Sequence, residues 1–312
     1  MSQDPATQDP GTPAVASSAD DAVQIPEAAG TVTSPSADRI KNPWREHGHD
    51  GRVPYITPDL IGRTVEIGTQ PFDRRSTMLL REFQQNSEIK HDLYPRFLNS
   101  GRVFSVLIDG YKVTCTEILG YGRFGLVFKA SIADSSLQVA MKFMFKENRK
   151  VRGNSAEFKK ARKLPQKLFD SGRIIYYLAL CDMAPYMNSQ AELIIMELAE
   201  NGDLFDSIVV SSQGTQRPLV YTANHARRLT IMVIEAMATL REHGYLHRDL
   251  KAENLLFNKF GQMVLGDIGN IKDLEGGTTF REVGTKSRTC MFFCDVLTKR
   301  LTLCMWCPTL RR

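Results

Sequence analysis

Four short strings carry the residues that could do chemistry. The most specific is His247-Arg248-Asp249-Leu250-Lys251-Ala252-Glu253-Asn254. Moving a phosphoryl group onto a hydroxyl needs a carboxylate to orient the nucleophile and take its proton. It also needs a cation near the transferred phosphate and an oxygen ligand for Mg2+. Asp249, Lys251 and Asn254 supply these within one loop, where the bland alternative is a polar surface loop. The second string is Val264-Leu265-Gly266-Asp267-Ile268-Gly269, an apolar run ending in an acid and a glycine turn. Such an Asp can chelate a Mg2+ that bridges phosphates. Asp-x-Gly is also a common turn; its place 18 residues after Asp249 favours the metal role.

The third string is Val139-Ala140-Met141-Lys142. By alternation Lys142 shares a face with Ala140 and Met144, on the apolar side. A lysine there is costly unless it meets an anion, so it reads as a phosphate-gripping group; the alternative is the solvent face of an edge strand. The fourth is Leu119-Gly120-Tyr121-Gly122-Arg123-Phe124-Gly125-Leu126-Val127. Its glycines let a hairpin lie close over phosphates and offer backbone N–H groups. Taken alone, it is also an ordinary glycine-rich hairpin. A dinucleotide fingerprint would open a helix at its last glycine, whereas Leu126-Val127-Phe128 continues as strand.

These strings need elements to hold them. Alternation predicts strands over 112–119, 126–131 and 138–144 around the hairpin and Lys142, and further strands at 102–108, 174–180 and 193–198. Residues 73–91 have moderate helical potential. A lysine-rich helix is expected over 155–169, broken or kinked at Pro165. Helices follow over 203–209 and 223–243, the second with an apolar stripe at Leu229, Met232, Val233, Ala236 and Leu240. The 19 residues 211–229 look like a surface insertion. Strands first and helices after imply two lobes with a cleft between them.

Composition sets the frame. The 312 residues are 42% hydrophobic and 24% charged, enough for one or two domains with a core. The net charge is +5, and acids dominate before Arg39, so the rest is basic. No Lys/Arg run is interleaved with aromatics, so nucleic acid is not an expected partner. No apolar run reaches the roughly 20 residues that span a bilayer, and no secretory or mitochondrial leader is evident. A cytoplasmic or nuclear location is expected. Residues 1–40 are rich in Pro, Ala, Ser, Thr and Gly and are expected to be disordered. Residues 41–110 carry no motif and read as an N-terminal extension of unknown role.

In this order, the four strings resemble the eukaryotic protein kinase superfamily. The resemblance runs through a partial domain at 111–289. It implies an α+β, two-lobed fold with a complete β-rich N-lobe and an incomplete helical C-lobe, and the cofactors ATP and Mg2+. It also implies protein substrates. Leu119, Val127, Ala140 and Leu256 would enclose the adenine, with Gly120, Gly122, Phe124 and Gly125 over the phosphates. Met196 would be the gatekeeper, and the Glu197 and Ala199 backbones the hinge. Asp203 would meet the ribose or a basic substrate residue, with Glu253 also at the nucleotide side. Glu157 would pair with Lys142, and Thr285 would pack against Asp249 and Lys251. Asn254 and Asp267 would hold the metal. Lys251, two places after Asp249, resembles serine/threonine rather than tyrosine kinases. Arg248 resembles kinases controlled by activation-loop phosphorylation, with Thr278 and Thr279 as nearby acceptors.

The sequence departs from the family in three ways. Ile268 replaces the usual Phe. Glu157 sits in an irregular, proline-interrupted helix. After Ser287 the expected Ala-Pro-Glu and later helices are replaced by an atypical tail, with four of the six Cys in 290–312. A zinc site at Cys290, Cys294, Cys304 and Cys307 is one reading of that tail. An out-of-frame or alternative exon is the preferred one. Two functions are therefore expected: an active protein serine/threonine kinase, or a truncated, ATP-binding but inactive fragment acting as a regulatory module.

Overall fold

The structure is a computed structural model that describes residues 41–86, 96–122, 125–145, 156–182, 191–207 and 223–274. It is an α+β fold dominated by one eight-stranded sheet. In chain order the main elements are β1 (Tyr55–Ile56), β2 (Ile61–Pro71), α1 (Arg74–Asn86), α2 (Arg96–Asn99), β3 (Arg102–Ile108), β4 (Tyr111–Gly122), β5 (Gly125–Ile132) and β6 (Gln138–Phe145). Then come α3 (Ala156–Ala161), α4 (Gln166–Asp170), β7 (Tyr177–Asp182), β8 (Ala191–Glu197) and α5 (Ala223–Glu242). Short strands β9 (Tyr245–Leu246), β10 (Leu255–Phe257), β11 (Met263–Leu265) and β12 (Lys272–Asp273) complete the description.

The sheet order is β1-β7-β8-β6-β5-β4-β3-β2, antiparallel except for the β1–β7 pair. Its alternation sorts the two cores. On β6, Val139, Met141, Phe143 and Phe145 enter one cluster, while Ala140 enters the other and Met144 packs against it. Lys142 shares the parity of Ala140 and Met144 and therefore their face.

Residues before Tyr111 are not a separate body. β2 and β3 extend one edge of the sheet, and β1 adds to the other. Trp44, Phe72, Phe83, Phe97 and Phe104 join Ile118, Phe128, Phe143 and Phe145 in one core cluster. Phe104 meets Phe97, Phe128 and Phe143 at ring-centroid distances of 4.4, 5.2 and 5.8 Å. The boundary drawn from sequence at 110/111 thus falls inside a continuous sheet and core.

Pro165 splits the expected 155–169 helix into α3 and α4, standing as the extended residue before α4. The segment around Ile174 is not regular strand: Ile174 makes a single parallel bridge to Leu265, and β7 begins at Tyr177. The expected 211–229 insertion is corrected at its far end. α5 already starts at Ala223, and Ala226 and Leu229 are buried. With Val233, Ala236 and Leu240 they form one apolar stripe. Residues 211–222 lie outside the described residues.

Candidate active site

The site is assembled from three local structures that meet on the β6 face carrying Lys142. The first is the lysine itself. Lys142 Nζ donates to Glu157 Oε2 at 2.5 Å, and the Glu157 side chain is only 5% exposed. Burial would lower the Lys142 pKa, but the charges of Glu157 and Asp267 outweigh it and hold it above its ordinary value. The ammonium therefore stays charged. Glu157 arrives on α3, whose buried side is Glu157, Phe158 and Ala161. Lys160 Nζ pins the same helix to Gly269 by donating to its carbonyl at 2.6 Å.

One member of this cluster was not foreseen from sequence. Tyr177 is fully buried and its hydroxyl donates to Glu157 Oε1 at 2.9 Å. Burial, then the Glu157 and Asp267 charges, raise its pKa well above the usual value, so it remains a donor. Both Glu157 oxygens are thus held, one by a cation and one by a phenol. The available signal was a tyrosine inside an apolar strand, because a buried hydroxyl needs a partner. Which partner it finds depends on the fold.

The second structure is the loop 247–254. His247 is buried, and its Nε2 lies 2.8 Å from the Gly266 carbonyl oxygen, which can only accept. Nε2 therefore carries the hydrogen, and Nδ1 accepts from the Asp249 N–H at 3.3 Å. Burial outweighs the nearby carbonyl and carboxylates and lowers the His247 pKa, which suits this neutral form. Asn254 Nδ2 donates to the Asp249 carbonyl at 2.8 Å and closes the loop. Lys251 Nζ lies 3.3 Å from Asp249 Oδ2. Arg248 takes a left-handed φ of 66° and donates from Nε to the Asn270 carbonyl. For a non-glycine residue that conformation is costly, and here hydrogen bonds on both sides of it enforce it.

The third structure is the turn after β11. Asp267 also has a left-handed φ, 49°, and its Oδ1 accepts from Gly269 N–H at 3.1 Å. Burial alone would raise its pKa, but Lys142, the Gly269 N–H and Lys251 bring it below the usual carboxylate value. Ile268 is fully buried in the same core as Phe158, Ala161 and Tyr177, so a branched aliphatic fills the slot.

The remaining expected residues line the same side. Ala140 and Met196 are buried and face each other across β6 and β8, while Leu119, Val127 and Leu256 are partly buried against that core. Glu197 N–H donates to the Tyr176 carbonyl at 2.8 Å, and the Ala199 carbonyl accepts from Gly202 N–H at 3.1 Å. Asp203 bridges to Leu256, tying this connection to β10. Burial, with Asp206 and Glu253 nearby, pushes its carboxyl up to about 6, against the hydrogen bond from Asp206 N–H. Glu253 sits half-buried in the single 3-10 turn that ends at Asn254.

The glycines divide by cause. A Cβ on Gly125 would fall 2.1 Å from the Phe143 carbonyl oxygen, so protein packing requires that glycine. A Cβ on Gly120 or Gly122 would meet nothing within 4 Å. The chain leaves open space there, which is the room a phosphate group would need beside bare backbone. Phe124, Thr278, Thr279, Thr285 and the four tail cysteines lie outside the described residues.

The donor set also bears on the metal. Among the described residues no group of three or more His, Cys, Asp or Glu converges on a cation site. Asp267 and the Asn254 side chain offer hard oxygen atoms, which suit Mg2+ when nucleotide oxygens and water complete the shell.

Comparison with known proteins decides the family. The protein kinase domain model matches residues 113–289, more than half of the chain. The chain belongs to the protein kinase family. It is 31% identical over 179 residues to "Calcium/calmodulin-dependent protein kinase type 1" of Caenorhabditis elegans, covering 54% of this chain and 45% of that protein. It is 29% identical over 197 residues to "Serine/threonine-protein kinase AtPK2/AtPK19" of Arabidopsis thaliana, covering 63% and 38%. To "Serine/threonine-protein kinase PLK4" of Drosophila virilis it is 29% identical over 168 residues, covering 54% and 20%. This kinase chain therefore matches less than half the length of each of these relatives. No helix among its described residues is long and apolar enough to cross a membrane.

Proposed function

We propose that the chain is an ATP-dependent protein serine/threonine kinase. The observation that carries this reading is the convergence of the Lys142–Glu157 pair and Asp267, with Asp267 in turn beside the His247–Asn254 loop. Lys142, kept charged and held by Glu157, would grip the α- and β-phosphates. The open side of Gly120 and Gly122 would let hairpin N–H groups approach them. Leu119, Val127, Ala140 and Leu256 would enclose the adenine under Met196, with the Glu197 carbonyl and Ala199 N–H at its edge. Asp249 would orient the substrate hydroxyl and take its proton, with Lys251 close enough to offset the charge. Asn254 and Asp267 would hold Mg2+, which when bound neutralises phosphate charge. Asp203, Asp206 and Glu253 form an acidic group suited to the ribose or to a basic side chain of a protein substrate.

The test is transfer of labelled γ-phosphate from ATP to a basic protein by the full chain. Asp249→Asn is expected to lower incorporation by about a thousandfold or more, the scale of losing a central catalytic group, and to keep Mg·ATP-dependent thermal stabilisation. A wild-type chain that gains thermal stability from Mg·ATP but transfers nothing would instead support a nucleotide-binding regulatory module.

A further inference from the structure

Three contacts link the site to α1, which precedes the segment matched to the kinase family. The first is at the root of the glycine hairpin. β3 pairs with β4 only as far as Phe104 and Cys115, and β4 is irregular between Cys115 and Glu117 and again between Ile118 and Gly120. Past that point α1 takes the place of a neighbouring strand. Ile118 N–H donates to Ser76 Oγ at 2.8 Å, and Ser76 is 1% exposed. Ser76 is itself fixed, because its N–H donates to Asp73 Oδ1 at 2.8 Å.

The second contact is at the hairpin itself. Phe83, fully buried on the same helix face as Ser76 and Leu80, lies 6.2 Å from the ring of Tyr121 and 6.1 Å from that of Phe145. Tyr121 stands between Gly120 and Gly122. The third contact crosses to the acidic turn. Arg75 Nη2 lies 3.4 Å from Asp206 Oδ2, just beyond Asp203. That pair is exposed and adds little by itself, but it shows how far the helix reaches.

We propose that α1 is part of the nucleotide-binding machinery and that Ser76 is a positioning residue for the glycine hairpin. A hairpin that must keep open space beneath Gly120 and Gly122 gains no support from packing on that side. Its position over the phosphates then depends on the other side, where Ser76 holds the Ile118 backbone and Phe83 braces Tyr121. A buried N–H left without an acceptor is costly, so loss of the Ser76 hydroxyl lets the strand shift at the point where the hairpin starts.

The inference rests on the kinase reading and is tested on the full chain by two independent readouts. The first is steady-state transfer, the second is the Kd for Mg·ADP by calorimetry. Ser76→Ala is expected to raise the ATP KM and the ADP Kd by about five- to tenfold, leaving the protein-substrate KM unchanged. Ser76→Thr keeps the hydroxyl and is expected to bring both values back to within about twofold of wild type. Ile56→Val, in β1 at the opposite edge of the sheet, controls for lost stability. Phe83→Leu keeps apolar volume but removes the ring against Tyr121, and it is expected to weaken ADP in the same sense. Unchanged nucleotide affinity in Ser76→Ala would overturn the proposal, as would an equal loss in Ile56→Val at matched melting temperature. If Ser76→Ala does not fold, unchanged affinity in Phe83→Leu overturns it. Absence of phosphoryl transfer in the wild type refutes the kinase reading alone, because the ADP measurement still decides the role of α1.

Discussion

Tyr177 shows how much of the Lys142 geometry depends on one hydroxyl. Its phenol occupies the Glu157 oxygen that Lys142 does not, inside a core with no water-facing route for that carboxylate. Hydrogen bonds to charged groups contribute roughly 1.5–3 kcal/mol, and removing one partner leaves the other unsatisfied. Tyr177→Phe is therefore expected to lower the unfolding free energy by about 2 kcal/mol, read by urea denaturation with an unchanged m-value. It is also expected to reduce Mg·ATP-dependent thermal stabilisation, because a less constrained Glu157 fixes Lys142 less well. Tyr177→Leu, which also removes the ring, is expected to be worse. Wild-type stability in Tyr177→Phe would show that Glu157 finds another donor. At this scale the sequence was informative where chemistry is local. Asp249, Lys251 and Asn254 are close in the chain and need no fold to be seen together. Tyr177 and Glu157 are 20 residues apart, and only the packing of α3 against β7 makes them partners.

At the level of elements, α3 is the piece most dependent on its surroundings. It has six residues and cannot be stable alone. Part of its support comes from the strap 51–56. Gln166 N–H donates to the Gly51 carbonyl at 2.6 Å, and Arg52 bridges to Pro165. Tyr55 meets Phe158 edge-on at 6.3 Å, with the Arg162 guanidinium 4.2 Å from its ring centroid. Phe158 is next to Glu157, so the strap acts on the helix that carries the lysine's partner. Tyr55→Ala is expected to cost about 1–3 kcal/mol through lost ring contacts and to weaken the Mg·ATP thermal shift, while Tyr55→Phe stays close to wild type. A Tyr55→Ala chain with normal nucleotide response would separate the strap from the site. None of this was legible beforehand. A two-residue strand has no period to detect, and β2 reads poorly as a strand because Gly62 and Gly68 interrupt it. Gly62 has a packing cause, since a Cβ there would fall 2.8 Å from Leu107 Cβ. The catalytic strands were legible because apolar alternation survives in β4, β5 and β6, where a face is buried.

For the whole molecule, the family-matched segment and the folding unit are different things. The match begins at residue 113, yet the face of the sheet bearing Ile118, Phe128, Met141 and Phe143 is covered by Trp44, Phe72, Phe83, Phe97 and Phe104. A chain starting at Tyr111 would present that aromatic face to water. It would also expose the β4 edge that β3 occupies from Cys115 to Tyr111. Large apolar patches and unpaired strand edges both drive association. Deleting residues 1–110 is therefore expected to give a chain that binds hydrophobic dye, elutes as aggregate on size exclusion and shows no cooperative melting. The full chain is expected to melt cooperatively and to gain stability with Mg·ATP. A monomeric, cooperatively melting deletion variant would mean that the sheet from β4 onward can bury its own outer face. In that case the extension would be a regulator added to a finished fold, and Ser76 would be acting on a hairpin that stands without it.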